Sequence, residues 1–324
     1  MTKGSEFDII DRYFKPLTSG DTAALGLSDD AALLDVPNGQ QLVVTSDALV
    51  SGVHFLNDQS PQDIAHKVVG VNLSDLAAMG AKPRAVFLAA QFPKNTPQDW
   101  IAAFAKGFGE ALKPSGAVLL GGDTVGTAGP MAFTLTALGY VPKSKALKRS
   151  GASVGDALYV SGTIGDAALG LLCSTQKLAP NAHLMTRYAR PEPRLALGQA
   201  LADSGLATAC IDISDGLVAD VAHICETSEL NATLEADAVP RSKAAQFYLD
   251  QTPDLLGLIL NGGDDYELAF TVKPEHILQV ESLSAELKSP ISKIGVMDTN
   301  GTRVRVLDLD GQVIDITQEG YKHL

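Results

Sequence analysis

Six short acidic motifs punctuate this chain, each where an extended apolar run ends: Ser28-Asp29-Asp30, Thr45-Ser46-Asp47, Asn72-Leu73-Ser74-Asp75, Gly121-Gly122-Asp123-Thr124, Asp212-Ile213-Ser214-Asp215-Gly216 and Gly262-Gly263-Asp264-Asp265. Carboxylates placed repeatedly at the C-terminal ends of strands in an α/β chain converge on one crevice, the usual ligand position in such sheets. Gathered carboxylates repel one another until something neutralises them. Hard divalent cations do so with oxygen ligands, and Mg²⁺ is typically shared between one or two carboxylates and the oxygens of a bound phosphate. The pattern predicts a polyphosphate site served by several Mg²⁺ ions.

Each motif also has a plainer reading. Asp75 lies in a run with Ile64, Val68, Val69, Val71, Leu73, Leu76, Ala77, Ala78 and Met79 on almost every side, a buried helix in which a carboxylate is costly unless paired or metal-bound. Asn72, three residues back on the same face, is placed to support it, and a salt bridge to a core-lining cation is the alternative. Thr45, Ser46 and Asp47 offer two hydroxyls and a carboxylate from one strand end, although a lone Asp there is more often a cap or a turn residue. Asp123 in Gly-Gly-Asp-Thr is equally ordinary as turn chemistry. Asp212 and Ser214 project from one face of a strand, and Asp215 stands where it would cap the next helix. Gly162-Thr163-Ile164-Gly165 between strand and helix is a candidate phosphate cradle of backbone N–H groups, but it is not a Walker A sequence. Arg149, in the cationic run Lys143 to Arg149, is the best phosphate-directed guanidinium. His54, between Val53 and Phe55, reads by itself as an ordinary core or surface histidine.

These residues must be held by elements the sequence also announces. Residues 7–15, with Phe7, Ile10, Tyr13 and Phe14 at helical spacing, predict a short amphipathic helix. Residues 31–36 and 41–45 flank Pro37-Asn38-Gly39 as a predicted hairpin. Pro61 opens a helix to about Met79 that ends at Gly80, and strands follow at 85–92, 117–120 and 131–141, with a helix over 97–112. The polar, cationic run from Pro142 to Gly151 predicts a boundary, giving an N-terminal domain over 1–142 and a C-terminal α/β domain over 143–324. In the second domain, strands are predicted at 157–160, 207–213, 266–272 and 291–296, with helices from about 167, over 192–203 and over 216–228. The fold class is α/β, in α+β layers.

Composition narrows the partners. The 324 residues suit two domains. A formal net charge of -13 argues against nucleic acid or an anionic membrane, which would be repelled at long range. No apolar stretch approaches the roughly 18 to 20 residues that span a bilayer, and the N-terminus lacks an apolar signal region, so a cytoplasmic protein is expected. Cys173, Cys210 and Cys225 sit at wide spacing in apolar contexts and read as reduced core residues.

In this order the motifs resemble bacterial thiamine-monophosphate kinase, of the superfamily that includes aminoimidazole ribonucleotide synthetase. The likeness runs from Asp29-Asp30-Ala31-Ala32 through Thr45-Ser46-Asp47, Val71 to Gly80, Leu120-Gly121-Gly122-Asp123-Thr124, Arg149-Ser150-Gly151, Asp212 to Gly216 and Gly263 to Leu268, closing at Gly320-Tyr321. It implies transfer of the ATP γ-phosphoryl group to thiamine monophosphate, the final step of thiamine diphosphate synthesis. By the same resemblance Asp30, Thr45, Ser46, Asp47, Asp75, Asp123, Asp212 and Asp215 hold Mg²⁺, with Asp47, Asp75, Asp123 and Asp215 as the catalytic core. Gly122, Arg149 and Ser214 would contact the nucleotide, and His54, Asp264 and Tyr321 the thiamine substrate. It also implies a homodimer in which N-terminal strands of two subunits form a shared barrel.

Two departures stand out: Ser28 where the family usually has Gly, and Asp264 where it often has Glu. Within the superfamily, a selenophosphate synthetase would need a cysteine or selenocysteine near the N-terminus, and the first cysteine here is Cys173. The hydrogenase-maturation relative would need a C-terminal cysteine, and this sequence closes Tyr321-Lys322-His323-Leu324. Aminoimidazole ribonucleotide synthetase is the nearest enzymatic alternative, and a silent nucleotide-binding protein is the alternative of another class.

Overall fold

A computed structural model describes residues 6–28, 31–314 and 316. The chain folds as two compact units, residues 1–76 with 81–143 and residues 77–80 with 144–324. Helical turns come first: α1 (Glu6–Ile9) continues as a π-helical turn over Ile10–Phe14 and a 3-10 turn over Lys15–Thr18. Then follow β1 (Gln40–Val50), α2 (Pro61–Ala78), β2 (Lys82–Pro93), α3 (Gln98–Leu112), β3 (Val118–Thr127) and β4 (Ala132–Pro142).

The four strands form one mixed sheet in the order β1-β4-β2-β3, with β2 and β3 parallel and the other pairs antiparallel. β4 alternates half-buried and buried residues along its whole length, the signature of a sheet with one covered face. Phe133, Leu135, Ala137 and Val141 form the buried set. α3 covers them: Phe104 lies flat on Phe133 with ring centroids 4.3 Å apart, and Trp100 and Phe92 close the aromatic cluster.

Two sequence expectations change here. Residues 32–37 form no strand, so the hairpin is absent; the turn exists, with Gln40 N donating to Pro37 O at 3.1 Å, but β1 pairs instead with β4 over all eleven of its residues. The 31–36 arm is drawn elsewhere, because Leu33 N donates to Ala23 O at 3.0 Å and Ala32 and Leu34 pack beside Ala24, Ala85 and Leu120. β3 also fails to stop at Leu120. It runs on through Gly121-Gly122-Asp123-Thr124, which turn chemistry alone had assigned to a loop.

The second unit holds β5 (Ala157–Ser161), α4 (Asp166–Ser174), α5 (Ala182–Ala189), α6 (Leu195–Ser204), β6 (Ala207–Asp212), α7 (Leu217–Ser228), β7 (Leu230–Glu235), α8 (Lys243–Gln251), α9 (Leu256–Asn261), β8 (Leu268–Val272), α10 (Ile277–Leu287), β9 (Ile291–Asn300) and β10 (Val304–Leu307). Its six strands run β10-β7-β9-β5-β8-β6; β10 and β7 are parallel and the rest antiparallel. β5 and β8 are buried at every residue, so the sheet is covered on both faces. Leu158, Val160 and Ile211 join Leu217 and Val221 of α7 in one core, while Tyr159, Cys210 and Phe270 join Leu197 and Leu201 of α6 in the other. All three cysteines are free and buried, as their apolar contexts predicted. Among the described residues no helix is long and apolar enough to cross a membrane.

Candidate active site

In the first unit Thr45, Ser46 and Asp47 lie inside β1 and not at its end. Side chains alternate across a strand, so Thr45 and Asp47 share one face and Ser46 takes the other. Thr45 Oγ1 donates to Asp75 Oδ2 on α2, which fixes that face as the one beneath the helix. On the opposite face Ser46 Oγ lies 3.0 Å from Thr136 Oγ1. Asn72 does not serve Asp75 as its spacing suggested. It is wholly buried, so both ends of its amide need partners: Oδ1 accepts from Asp47 N at 3.1 Å and Nδ2 donates to Val68 O at 2.9 Å. Asn72 thereby ties α2 to the β1 backbone at Asp47.

Asp123 belongs to a second group. The row Ala48, Thr134, Ala89, Asp123 is in register across the four strands, which sets Asp123 on the Ser46 face. β1 and β3 are the two edges of the sheet, so Asp47 and Asp123 are three strand spacings apart, about 14 Å at the usual separation. Asp123 and Gly122 line a cavity of about 620 Å³ walled by Phe14, Leu27 and Phe87. At Gly122, with φ of 151°, β3 presses so close to β2 that a Cβ would lie 1.9 Å from Leu88 O. His54 is held in the turn after β1, its Nδ1 accepting from Val50 N at 3.0 Å. That bond puts the proton of the neutral ring on Nε2.

In the second unit β6 delivers Asp212, 4% exposed, and the chain then turns through Ser214-Asp215-Gly216 into α7. Asp215 does not cap this helix: Gly216 is the N-cap residue and no side chain caps it. The turn is held by Asp220, which sequence reading missed. Its Oδ2 accepts from Ser214 N, Asp215 N and Gly216 N at 2.9, 3.0 and 3.1 Å. Burial, then the charges of Asp212 and Asp215, push its carboxyl up to about 8, against the lowering effect of the Gly216 and Asp215 N–H groups. The only sequence signal for Asp220 was an acid on the buried face of α7, between Leu217 and Val221.

The Asp264 segment runs alongside this turn. Asp264 N donates to Ser214 O and Tyr266 N to Ile213 O, both at 2.8 Å, and Tyr266 Oη donates to Asp264 Oδ1 at 3.2 Å. Gly263 has φ of 73°, and a Cβ there would lie 2.4 Å from Ser214 O. Asp264 is half-buried beside Ser214, whereas its neighbours Asp265 and Glu267 are 1% and 0% exposed. Those two serve the interior, whereas Asp264 is the less buried acid of the three and accepts from the Tyr266 hydroxyl.

Asp265 also settles the Gly162–Gly165 loop. Its Oδ2 accepts from Gly165 N at 2.7 Å and its Oδ1 from Ala167 N at 3.2 Å, so an internal carboxylate occupies the position at the start of α4 that sequence reading offered to a phosphate. Ile164 N is bonded to Pro240 O and Gly162 N to Pro290 O. Burial pushes the Asp265 carboxyl up to about 7, countered by those two N–H groups and by Arg187. A folded value above the unfolded one means that the folded state holds this proton more tightly. The stabilisation linked to it is complete below about pH 4 and is lost as the pH rises through about 7. Asp265→Asn cannot titrate, so its melting temperature should change less between pH 5 and pH 8 than that of the wild type; parallel curves would refute the linkage.

Asp30 and Tyr321 lie outside the described residues. Ser28 adopts φ of -114°, which any residue tolerates, so its departure from Gly costs the backbone nothing. Arg149 is exposed, just before Gly151, whose φ of 124° and approach to Thr208 O exclude a Cβ. Among the described residues no three His, Cys, Asp or Glu side chains stand together as a ready-made metal cluster. The donor chemistry nonetheless fits a hard cation. Thr45 with Asp75, and Asp212 with Asp215, offer oxygen donors only, and after burial, the larger cause, the charges of Asp212 and Asp215 raise the Asp220 carboxyl.

The family models match over most of the chain: AIR synthase related protein, N-terminal domain, over residues 28–141, and AIR synthase related protein, C-terminal domain, over residues 153–307. The thiamine-monophosphate kinase of Haemophilus influenzae is 41% identical over 325 residues, covering 98% of this chain and 97% of the relative. The chain belongs to the thiamine-monophosphate kinase family. Membership places it among enzymes, the thiamine-phosphate kinases. A crystal structure of thiamine-monophosphate kinase from Stenotrophomonas maltophilia K279a aligns with a TM-score of 0.85 at 40% identity, covering 96% of this chain and 98% of that one. A structure of AaThiL complexed with AMPPCP and TMP aligns over 100% of both chains with a TM-score of 0.78 at 26% identity. The two-domain α/β fold with mixed sheets is that of the family.

Proposed function

We infer that this enzyme transfers the γ-phosphoryl group of ATP to thiamine monophosphate, giving thiamine diphosphate and ADP. The observation that carries the reading is 41% identity to a thiamine-monophosphate kinase over 98% of the chain. It is supported by a structural relative that holds an ATP analogue and TMP.

In this reading Asp30, Thr45, Ser46, Asp47, Asp75, Asp123, Asp212 and Asp215 hold several Mg²⁺ ions, which supply charge neutralisation and alignment of the phosphates. Gly122 offers close backbone approach and Arg149 a guanidinium to the nucleotide, with Ser214 beside them in role. His54 presents Nε2–H, and Asp264 and Tyr321 complete the contacts to the thiamine substrate. No general base is required. A phosphate monoester has a second pKa near 6 and is already a dianionic nucleophile at neutral pH. Phosphoryl transfer then rests on positioning and charge, and no nucleophile paired with a base is needed for a phosphoenzyme. The test is ADP release with ATP and Mg²⁺, with and without thiamine monophosphate. Release should depend on the acceptor; equal release in its absence would overturn the reading.

We also propose a cytoplasmic homodimer whose first-unit sheets share a barrel. β1 is an edge strand with Leu42 39% and Val44 57% exposed, the apolar edge that pairing with a second sheet would cover. Light scattering should return twice the chain mass, and a concentration-independent monomer would sink the proposal.

A further inference from the structure

Asp264 and Tyr266 are both held in the left-handed region, at φ of 66° and 52°. Neither is a glycine, and such conformations persist only where the surroundings over-determine them. The residues between and after them supply that determination from the interior. Asp265 is anchored on Gly165 N and Ala167 N. Glu267, 0% exposed, accepts from Ser161 Oγ at 2.6 Å, from Arg187 Nη2 at 2.9 Å and from Arg194 Nε at 2.6 Å. Arg187 Nη2 also donates to the backbone carbonyl of Asp265 at 3.0 Å. One guanidinium therefore grips both the peptide that joins Asp265 to Tyr266 and the carboxylate that follows Tyr266. The next residue on α5, Tyr188, has its hydroxyl pKa raised by burial and then by the charge of Asp264.

We propose that Arg187 is a positioning residue for the acceptor side of the site: clamped on Asp265 and Glu267, it fixes the backbone that aims Asp264 and Tyr266. The inference rests on the reading that Asp264 meets the thiamine substrate. A buried ion cluster could in principle serve stability alone, since one broken member leaves an uncompensated charge. Both bonds leave one nitrogen, Nη2, which the rigid guanidinium plane fixes between the two oxygens; a lysine keeps the charge but carries its ammonium on a flexible stem that is not held at that point.

The test is Arg187→Lys, Asp264→Ala and the double variant, with KM for thiamine monophosphate and for ATP measured separately. Arg187→Lys should raise the KM for thiamine monophosphate at least tenfold and leave that for ATP within about twofold, and in the Asp264→Ala background it should add little more. A purely structural role would lower the melting temperature and the active fraction with both KM values unchanged, and that result overturns the proposal. If Asp264→Ala itself leaves the acceptor KM unchanged, the acceptor reading has failed. If Asp264→Ala raises it and Arg187→Lys does not, the positioning role alone has failed. Should Arg187→Lys not fold, Arg194→Lys, on the 22% exposed partner of Glu267, carries the same prediction and the same refutation.

Discussion

Asp47→Ala and Asp75→Ala should each bring ADP formation below a tenth of the wild-type kcat at saturating Mg²⁺, with the fold retained. Both carboxylates are half-buried beside Thr45, whose hydroxyl donates to Asp75. The bond that ties β1 to α2 comes from the Asp47 backbone N–H to Asn72, so truncating the side chain leaves it in place. Asp75→Ala removes the acceptor of the Thr45 hydroxyl, a loss of about 1 kcal/mol at a partly hydrated position. Activity should therefore collapse while thermal unfolding shifts by only a few degrees. Either variant keeping more than a tenth of kcat would remove that residue from the metal set.

Gly122→Ala should fail for a different reason. A Cβ at this position would meet Leu88 O at 1.9 Å and Leu88 C at 2.6 Å, both backbone atoms of β2, which is clamped between β4 and β3. Its φ of 151° adds a conformation that side chains resist. Neither strand can yield without breaking the register that continues to Asp123. Overpacking of this kind costs about 1–3 kcal/mol. A melting temperature lowered by roughly 2–12 °C is expected, with activity lost alongside it. Gly257→Ala, where nothing lies within 4 Å of the new atom and φ is not positive, is the control and should be silent. An unchanged melting temperature for Gly122→Ala would refute the account of this close approach.

Local signals were legible in the sequence, and pairings across long separations were not. Pro61 and Gly80 bracket α2 closely, and the apolar run before Asp212 ends β6 where expected, because caps, breakers and periodicity act within a few residues. Gly121-Gly122-Asp123-Thr124 misled, since the same residues that make a turn also allow a strand to lie unusually close to its neighbour. Residues 31–36 have strand-like composition but found their partners in the turns of 23–24 and in Leu120. The acids of the first half were expected in one crevice, yet strand alternation and edge position separate Asp47 from Asp123. The ion cluster around Glu267 joins residues 73, 80 and 106 positions away, so neither its existence nor the burial of Asp265 has any local signature. Asp220 was hidden for a related reason: an acid in the first turn of a helix usually faces water, and only the fold of the turn before α7 reveals that it faces inward.

The most direct test follows the phosphoryl group itself. ATP carrying a chirally labelled γ-phosphorus, incubated with the enzyme, Mg²⁺ and thiamine monophosphate, should place the label in thiamine diphosphate, one for each ADP formed, with inverted configuration. Label recovered in inorganic phosphate, or net retention in thiamine diphosphate, would contradict direct transfer to this acceptor.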